Sequence, residues 1–84
     1  MRKISELIVK RLYWKEKESA SLFCTHIIAK YASGRTVGRS FYTENEIPYT
    51  IKDYMNIDNL KGYEEYEVPG SPFRIKAAVY REGA

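Results

Sequence analysis

The chain has 84 residues and a net charge of +3, with 44% hydrophobic and 30% charged side chains. A chain of this size is expected to form one domain, spanning residues 1–84, that buries roughly 60–65% of its unfolded surface and has little room for an enclosed active site. The composition excludes a disordered protein. No apolar run reaches the ~20 residues that a membrane-spanning helix needs. We therefore expect a globular domain without a membrane partner.

The charges are unevenly distributed along the chain. Residues 1–42 hold nine basic and three acidic side chains, whereas residues 43–72 hold two basic and seven acidic ones. Such a distribution predicts one basic and one acidic side, and either could steer a binding partner. An ordinary solvated surface with clustered charges is the alternative.

The single cysteine, Cys24, excludes an internal disulfide and suits a reducing compartment. The basic N-terminal stretch is interrupted by charged residues and has no small-residue cleavage site, so we expect no signal peptide. The sequence therefore predicts a cytosolic protein.

Residues 2–14 fit two kinds of secondary structure. A helical period places five apolar residues on one face, with Arg11 intruding: Ile4, Leu7, Ile8, Leu12 and Trp14. This period fits better than alternation, so a helix is favoured, and a strand over LIVKRLYW is the alternative.

The segment SLFCTHIIAKY, residues 21–31, is rich in β-branched and aromatic residues and is predicted to be a strand. Its alternation places Phe23 with Ile27 on one face, and Cys24 with His26 on the other. Ser33 and Gly34 supply a turn, and RTVGRSFY returns as the second strand of a hairpin.

The orientation of Arg39 depends on Gly38. A β-bulge at Gly38 would turn Val37 toward the core and Arg39 toward solvent, and we favour it because a small core needs Val37 and Phe41. Without a bulge, Arg35, Val37, Arg39 and Phe41 share one face, and that face resembles a stacking platform with phosphate contacts.

The second half of the chain predicts one helix and one hairpin. A helix is expected to begin near Pro48 and to continue through YTIKDYMN. The segments GYEEYEV and FRIKAAVY are joined by the turn PGSP, and in the last strand Phe73, Ile75, Ala77 and Val79 are expected to form the buried face. The predicted fold is α+β, a small antiparallel sheet of four to five strands with one or two helices packed on one face.

Groups that could perform catalysis are scarce. Cys24 and His26 could begin a metal site or a nucleophilic pair, but no second Cys or His exists to complete a zinc site, and packing is the simpler interpretation. Glu65 and Glu67 on an exposed strand would keep near-normal pKa values and make poor general acids. The segment GRTVG lacks the Gly-Lys-Ser/Thr ending of a phosphate-binding loop. We expect no enzyme, catalytic residue, cofactor, metal site or small-molecule substrate.

Two surfaces are candidates for binding a partner. The basic candidate consists of Arg35, Arg39 and Tyr42, and the acidic candidate consists of Tyr63, Glu64, Glu65, Tyr66 and Glu67. Carboxylates and phenols along a strand can imitate a phosphate backbone and occupy a basic groove on another protein. The alternative function is direct binding of nucleic acid through Arg35 and Arg39 together with the basic residues Arg2, Lys3, Lys10 and Arg11.

The segment SGRTVGRSFYTENE, residues 33–46, resembles a stretch of a small phage-encoded anti-CRISPR protein of the type I-F class. The shared features are a polar-Gly-basic-hydroxyl-Val-Gly run, a Phe a few residues later and a Thr-Glu pair beyond it. They cover about a sixth of the chain, and the C-terminal hairpin departs from that protein, where a helix would be expected. The resemblance implies a non-catalytic inhibitor that binds and blocks a nucleic-acid-processing defence complex, a host protein or ribonucleoprotein, in the host cytosol. It assigns no functional residue.

Overall fold

The structure, a computed structural model, describes residues 3–16, 21–56 and 59–82. Its elements in chain order are β1 (Ile4–Trp14), β2 (Leu22–Tyr31), β3 (Thr36–Phe41), a 3-10 turn (Glu44–Glu46), α1 (Tyr49–Asn56), β4 (Leu60–Glu67) and β5 (Phe73–Arg81). All five strands form one antiparallel sheet in the order β3-β2-β1-β5-β4. The predicted sheet is present, whereas the helical part is smaller than expected: the described residues contain one α-helix, of eight residues.

The prediction of a helix at the N-terminus was wrong, because these residues form the central strand β1. β1 has apolar residues on both faces: Leu7 and Val9 are fully buried on one, and Ile8 and Leu12 are half-buried on the other. Because both faces are apolar, the sequence of β1 lacks the alternation of apolar and polar residues that is typical of a strand. Its apolar residues then fit a helical period by chance.

A register shift in β2 also changes one predicted face. Leu12 pairs with Cys24, but the next residue, Tyr13, pairs with Leu22. Phe23 is therefore the extra residue of a bulge, and its ring stacks on Phe73 with 5.0 Å between the ring centroids. The Phe23 side chain therefore lies on the other face of the sheet from Ile27. The strict alternation expected from the sequence had placed the two on one face.

The predicted turns and the predicted helix are confirmed. Gly34 and Gly70 have φ values of 94° and 85°, which only glycine adopts without strain, and each lies in the turn of a hairpin. The amide of Ser71 donates a hydrogen bond to the Val68 carbonyl (2.9 Å) across the second turn. The helix α1 begins directly after Pro48, as proline at a helix start predicts.

The hydrophobic core lies between the sheet and α1. The largest fully buried side chains are those of Leu7, Val9 and Ile27, and Ile51 and Tyr54 of the helix pack against them. On β5 it is Ala78 that faces this core, with Tyr80 packed beside it. The face of β5 that was expected to be buried, Phe73, Ile75, Ala77 and Val79, points the other way and is only half-buried.

The second face of the sheet, which we call the open face, lies opposite α1. No other described element packs on it. Its apolar side chains are half-buried and belong to the three inner strands: Ile8, Leu12, Trp14, Phe23, Ile28, Phe73, Ile75 and Val79. The sheet is therefore packed on one side only, which is unusual for strands with two apolar faces.

Tyr54 connects α1 to the end of the sheet. Its hydroxyl donates a hydrogen bond to the Ser5 carbonyl (3.0 Å) and accepts one from the Glu82 amide (3.1 Å). Both backbone groups lie just beyond Glu6 and Arg81, the last pair of the ladder between β1 and β5. The hydroxyl therefore continues the hydrogen bonding where the ladder ends.

We expect Tyr54→Phe to lower the free energy of unfolding by about 1–3 kcal/mol, because two partly buried backbone groups lose their partner. Urea denaturation followed by circular dichroism measures the change. Tyr49→Phe is the matched control, since Tyr49 lies on the same helix with 82% of its surface exposed. Equal stability of the two variants would contradict the bridging role of the Tyr54 hydroxyl.

Candidate binding surfaces

Arg39 lies on the same face of the sheet as Val37. The pairing of β3 with β2 is continuous, with Ile27 opposite Arg39, Ile28 opposite Gly38 and Ala29 opposite Val37. The bulge expected at Gly38 is therefore absent, and strict alternation holds. Both residues can share this face because β3 is an edge strand, where a long side chain keeps its stem on apolar surface and its charge in water.

Arg35 and Arg39 border a shallow depression beside α1, which we call the arginine cleft. Its volume is about 180 Å³, and its lining includes Tyr31, Arg35, Val37, Arg39, Pro48 and Ile51. This volume is below the ~300 Å³ of the smallest typical ligand pockets. The cleft is therefore sized for one side chain of a partner rather than for a cofactor.

The two guanidinium groups are available for a partner. No ion pair that involves the described residues includes Arg35 or Arg39. The guanidinium carbon of Arg39 lies 5.2 Å from the ring centroid of Phe41, which fixes the position of the charge over an aromatic ring. Two guanidinium groups above an apolar floor form a site suited to a carboxylate or phosphate.

The aromatic residues of the predicted basic surface do not join the arginines. Tyr42 is 60% exposed, but its ring packs edge-to-face on Phe23, on the side of the open face. Phe41 shares the face of the arginines but is only 2% exposed. Neither ring offers a base-stacking surface beside Arg35 and Arg39.

The basic residues of the alternative, nucleic-acid-binding hypothesis are also dispersed. Lys10 lies on the open face and Arg11 on the helix side, because they are neighbours in β1. Lys3 forms an ion pair with Glu82 (3.8 Å), and residue 2 lies outside the described residues. These charges do not form one stripe.

The predicted acidic residues all lie on the edge strand β4, divided between its two faces. Tyr63, Glu65 and Glu67 lie on the helix side, paired across from Ala78, Lys76 and Arg74. The two others, Glu64 and Tyr66, point to the open face. The acidic surface is therefore two smaller surfaces.

Neighbouring cations neutralise the acidic residues on the helix side of β4. Glu65 lies 3.7 Å from the Lys76 ammonium, and Glu67 lies 3.4 Å from Lys15 and 3.7 Å from Arg74. Such exposed pairs stabilise the fold little. They do, however, reduce the net negative charge that this side of β4 presents to a partner.

Tyr63 and Glu65 form the shortest side-chain hydrogen bond on this strand. The Tyr63 hydroxyl donates to the Glu65 carboxylate at 2.7 Å. This bond holds the pKa of Glu65 below its ordinary value, with a further contribution from the nearby Lys76 charge, and it raises the pKa of Tyr63.

Cys24 and His26 show the geometry of packing residues. Burial raises the pKa of the Cys24 thiol, which disfavours the nucleophilic thiolate. The Nδ1 atom of His26 lies 3.1 Å from the Ser40 hydroxyl. Among residues 3–16, 21–56 and 59–82, no three His, Cys, Asp or Glu side chains come together in a cluster that would hold a metal ion.

Comparison with known proteins adds no identity. No protein-family model, curated protein or solved structure matches the chain. In the described part of the chain, no helix is both long enough and apolar enough to cross a membrane.

Sequence reasoning found the two arginines of the cleft but missed the residues that complete it. Pro48 directly precedes α1 and Ile51 lies in its first turn, and both border the cleft because the start of the helix lies beside residues of β2 and β3. A local pattern carries no signal for such a contact.

The continuous pairing at Gly38 predicts that Gly38→Ala will raise the free energy of unfolding by about 0.5–1 kcal/mol, because glycine weakens a regular strand. An added Cβ would lie 3.7 Å from the His26 ring, an ordinary contact. Thermal denaturation measures the effect. In the comparison variant Gly34→Ala, the φ of 94° makes the same change destabilising. Destabilisation at both positions would indicate an irregular backbone at Gly38.

In Tyr63→Phe we expect the pKa of Glu65 to rise toward its ordinary value, because the carboxylate loses its hydrogen bond. A depressed folded-state pKa stabilises the fold above the unfolded-state value, and this contribution is lost as the pH falls through the folded-state value. The Tyr63→Phe variant therefore loses part of this stabilisation. NMR titration of the Glu65 carboxyl carbon measures the shift. Tyr66→Phe, on the opposite face of β4, should leave the titration unchanged; an equal shift in both variants would argue against the bond.

Proposed function

We propose that this chain is a non-catalytic binding protein that inhibits a nucleic-acid-processing defence complex of a host cell, in the manner of the type I-F anti-CRISPR proteins that residues 33–46 resemble. Its partner is a host protein or ribonucleoprotein, and the arginine cleft is the contact that anchors it. The single observation that carries the proposal is the placement of Arg35 and Arg39 at one small apolar cleft.

The cleft favours an acidic side chain of a protein partner. An aspartate, glutamate or phosphorylated residue would place its anionic group between the guanidinium groups and its carbon atoms on Tyr31, Val37 and Ile51. Buried or half-buried anchors of this kind account for much of the binding energy of protein interfaces, and arginine is enriched among them. The site is too small for a nucleobase with its sugar, and this favours a protein partner over a nucleic acid.

Direct binding of nucleic acid is the second candidate. Arg39 lies on β3 and Arg35 directly precedes this strand, and both border the arginine cleft, so that both can contact the phosphates of one backbone. Phe41 is buried and Tyr42 packs on Phe23 at the open face, so neither of these two rings is available to stack on a base beside the arginines.

Phage plating tests the proposal. In a bacterium whose active type I-F system targets a phage, expression of the chain should restore plaque formation, and the double variant Arg35→Glu, Arg39→Glu should not. The control is Lys52→Glu, Lys61→Glu, which changes the net charge equally and leaves the cleft intact. Unchanged immunity with the wild-type chain would rule out an inhibitor of that class, and full activity of the Arg35/Arg39 double variant would rule out the cleft.

A gel-shift assay separates the two candidates. A direct binder retains DNA or RNA at about 50 mM salt and loses affinity steeply as salt rises. The proposed inhibitor gives no such shift, and its effect in cells still depends on Arg35 and Arg39.

A further inference from the structure

A cation and an anion lie in one row of the open face. Lys10 of β1 and Glu64 of β4 both pair across from Ala77, which lies between them on β5. Because neighbouring strands are about 4.8 Å apart, the two residues lie about 10 Å from each other. No ion pair that involves the described residues includes either of them.

Apolar residues flank this charged row on both sides. The pair Ile8 and Val79 lies two residues along the strands in one direction. The pair Leu12 and Ile75 lies two residues along in the other direction. All four side chains are half-buried. Apolar surface left open in this way on a small domain is typical of an interaction site.

We propose that the open face binds the open face of a second copy of this chain, with β5 of one copy lying over β5 of the other. A two-fold axis parallel to β5 through Ala77 places each Lys10 opposite the Glu64 of the other copy. One contact therefore implies its symmetric counterpart, as an isologous interface requires. This association uses the face opposite the arginine cleft and goes beyond the function proposed above.

The shape of the surface fits this arrangement. The small side chain of Ala77 leaves a depression of about 450 Å³ that is bordered by Lys10, Glu64, Tyr66 and Val79. The long side chains of Lys10 and Glu64 from the second copy can occupy it. The four apolar residues beside the row then close over the paired charges and exclude water.

The size of the surface indicates a weak association. An axis along β5 overlaps three strands of each copy, β1, β5 and β4, about 14 Å wide and about 30 Å long, which gives a footprint of roughly 430 Å². Counted on both copies this footprint is roughly 860 Å², which places the interface in the class below about 1,200 Å² in total. We expect a reversible dimer with a Kd in the roughly micromolar range.

Sedimentation equilibrium of Lys10→Glu and Glu64→Lys tests the pairing. Each single substitution replaces two attractive contacts of the dimer with repulsive ones and should raise the dimer Kd by about tenfold or more. The double variant, Lys10→Glu with Glu64→Lys, should restore the Kd to near that of the wild-type chain. Circular dichroism verifies that each variant is folded.

Lys52→Glu is the matched control, because Lys52 lies on α1, on the opposite side of the sheet. It should leave the dimer Kd unchanged. A wild-type chain that stays monomeric up to about 1 mM would overturn the proposal. So would a double variant that associates as weakly as the single variants, or an equal effect of Lys52→Glu.

Discussion

Strand β1 is hydrogen-bonded on both sides and carries apolar side chains on both faces, and most other features of the molecule depend on this arrangement. Strands with two apolar faces usually lie in sheets that are covered on both sides. The eight-residue helix α1 covers one face, with Ile51 and Tyr54 packed on Leu7 and Val9. The other face keeps its apolar residues half-exposed. The fold therefore combines a small, closed core on one side with an apolar surface on the other that no described element covers.

The hairpins and the start of α1 could be predicted from the sequence because their signals are local. Gly34 and Gly70 occupy positions of positive φ, which few other residues tolerate, and Pro48 precedes a short amphipathic segment. Each signal lies within a few residues of the structure it determines. The positions of the turns and of the helix start could therefore be predicted without knowledge of the rest of the chain.

The central strand and the direction of the β5 faces could not be predicted in this way. A strand in the middle of a sheet has no preferred polar side, so β1 shows no alternation, and the apolar half of β5 gives no indication of whether a helix or solvent lies beyond it. Ala78 is in the core because it pairs with Val9, a contact between residues nearly seventy positions apart in sequence. The candidate site has the same origin: Arg35 and Arg39 are visible in the sequence, but the packing of α1 turns them into a cleft.

The two sides of the sheet have different chemistry, and the difference bears on how the protein could work. The helix side presents two guanidinium groups that form no ion pair with the described residues and that suit an anionic contact. The open face presents apolar rows that suit another apolar face. Two copies joined through their open faces would direct their arginine clefts outward, in opposite directions. A partner with two acidic contacts, such as an assembly with repeated subunits, would then be bound twice, and the second contact would form at a high effective concentration. A weak cleft on a small domain could in that way hold a large complex without any larger contact surface.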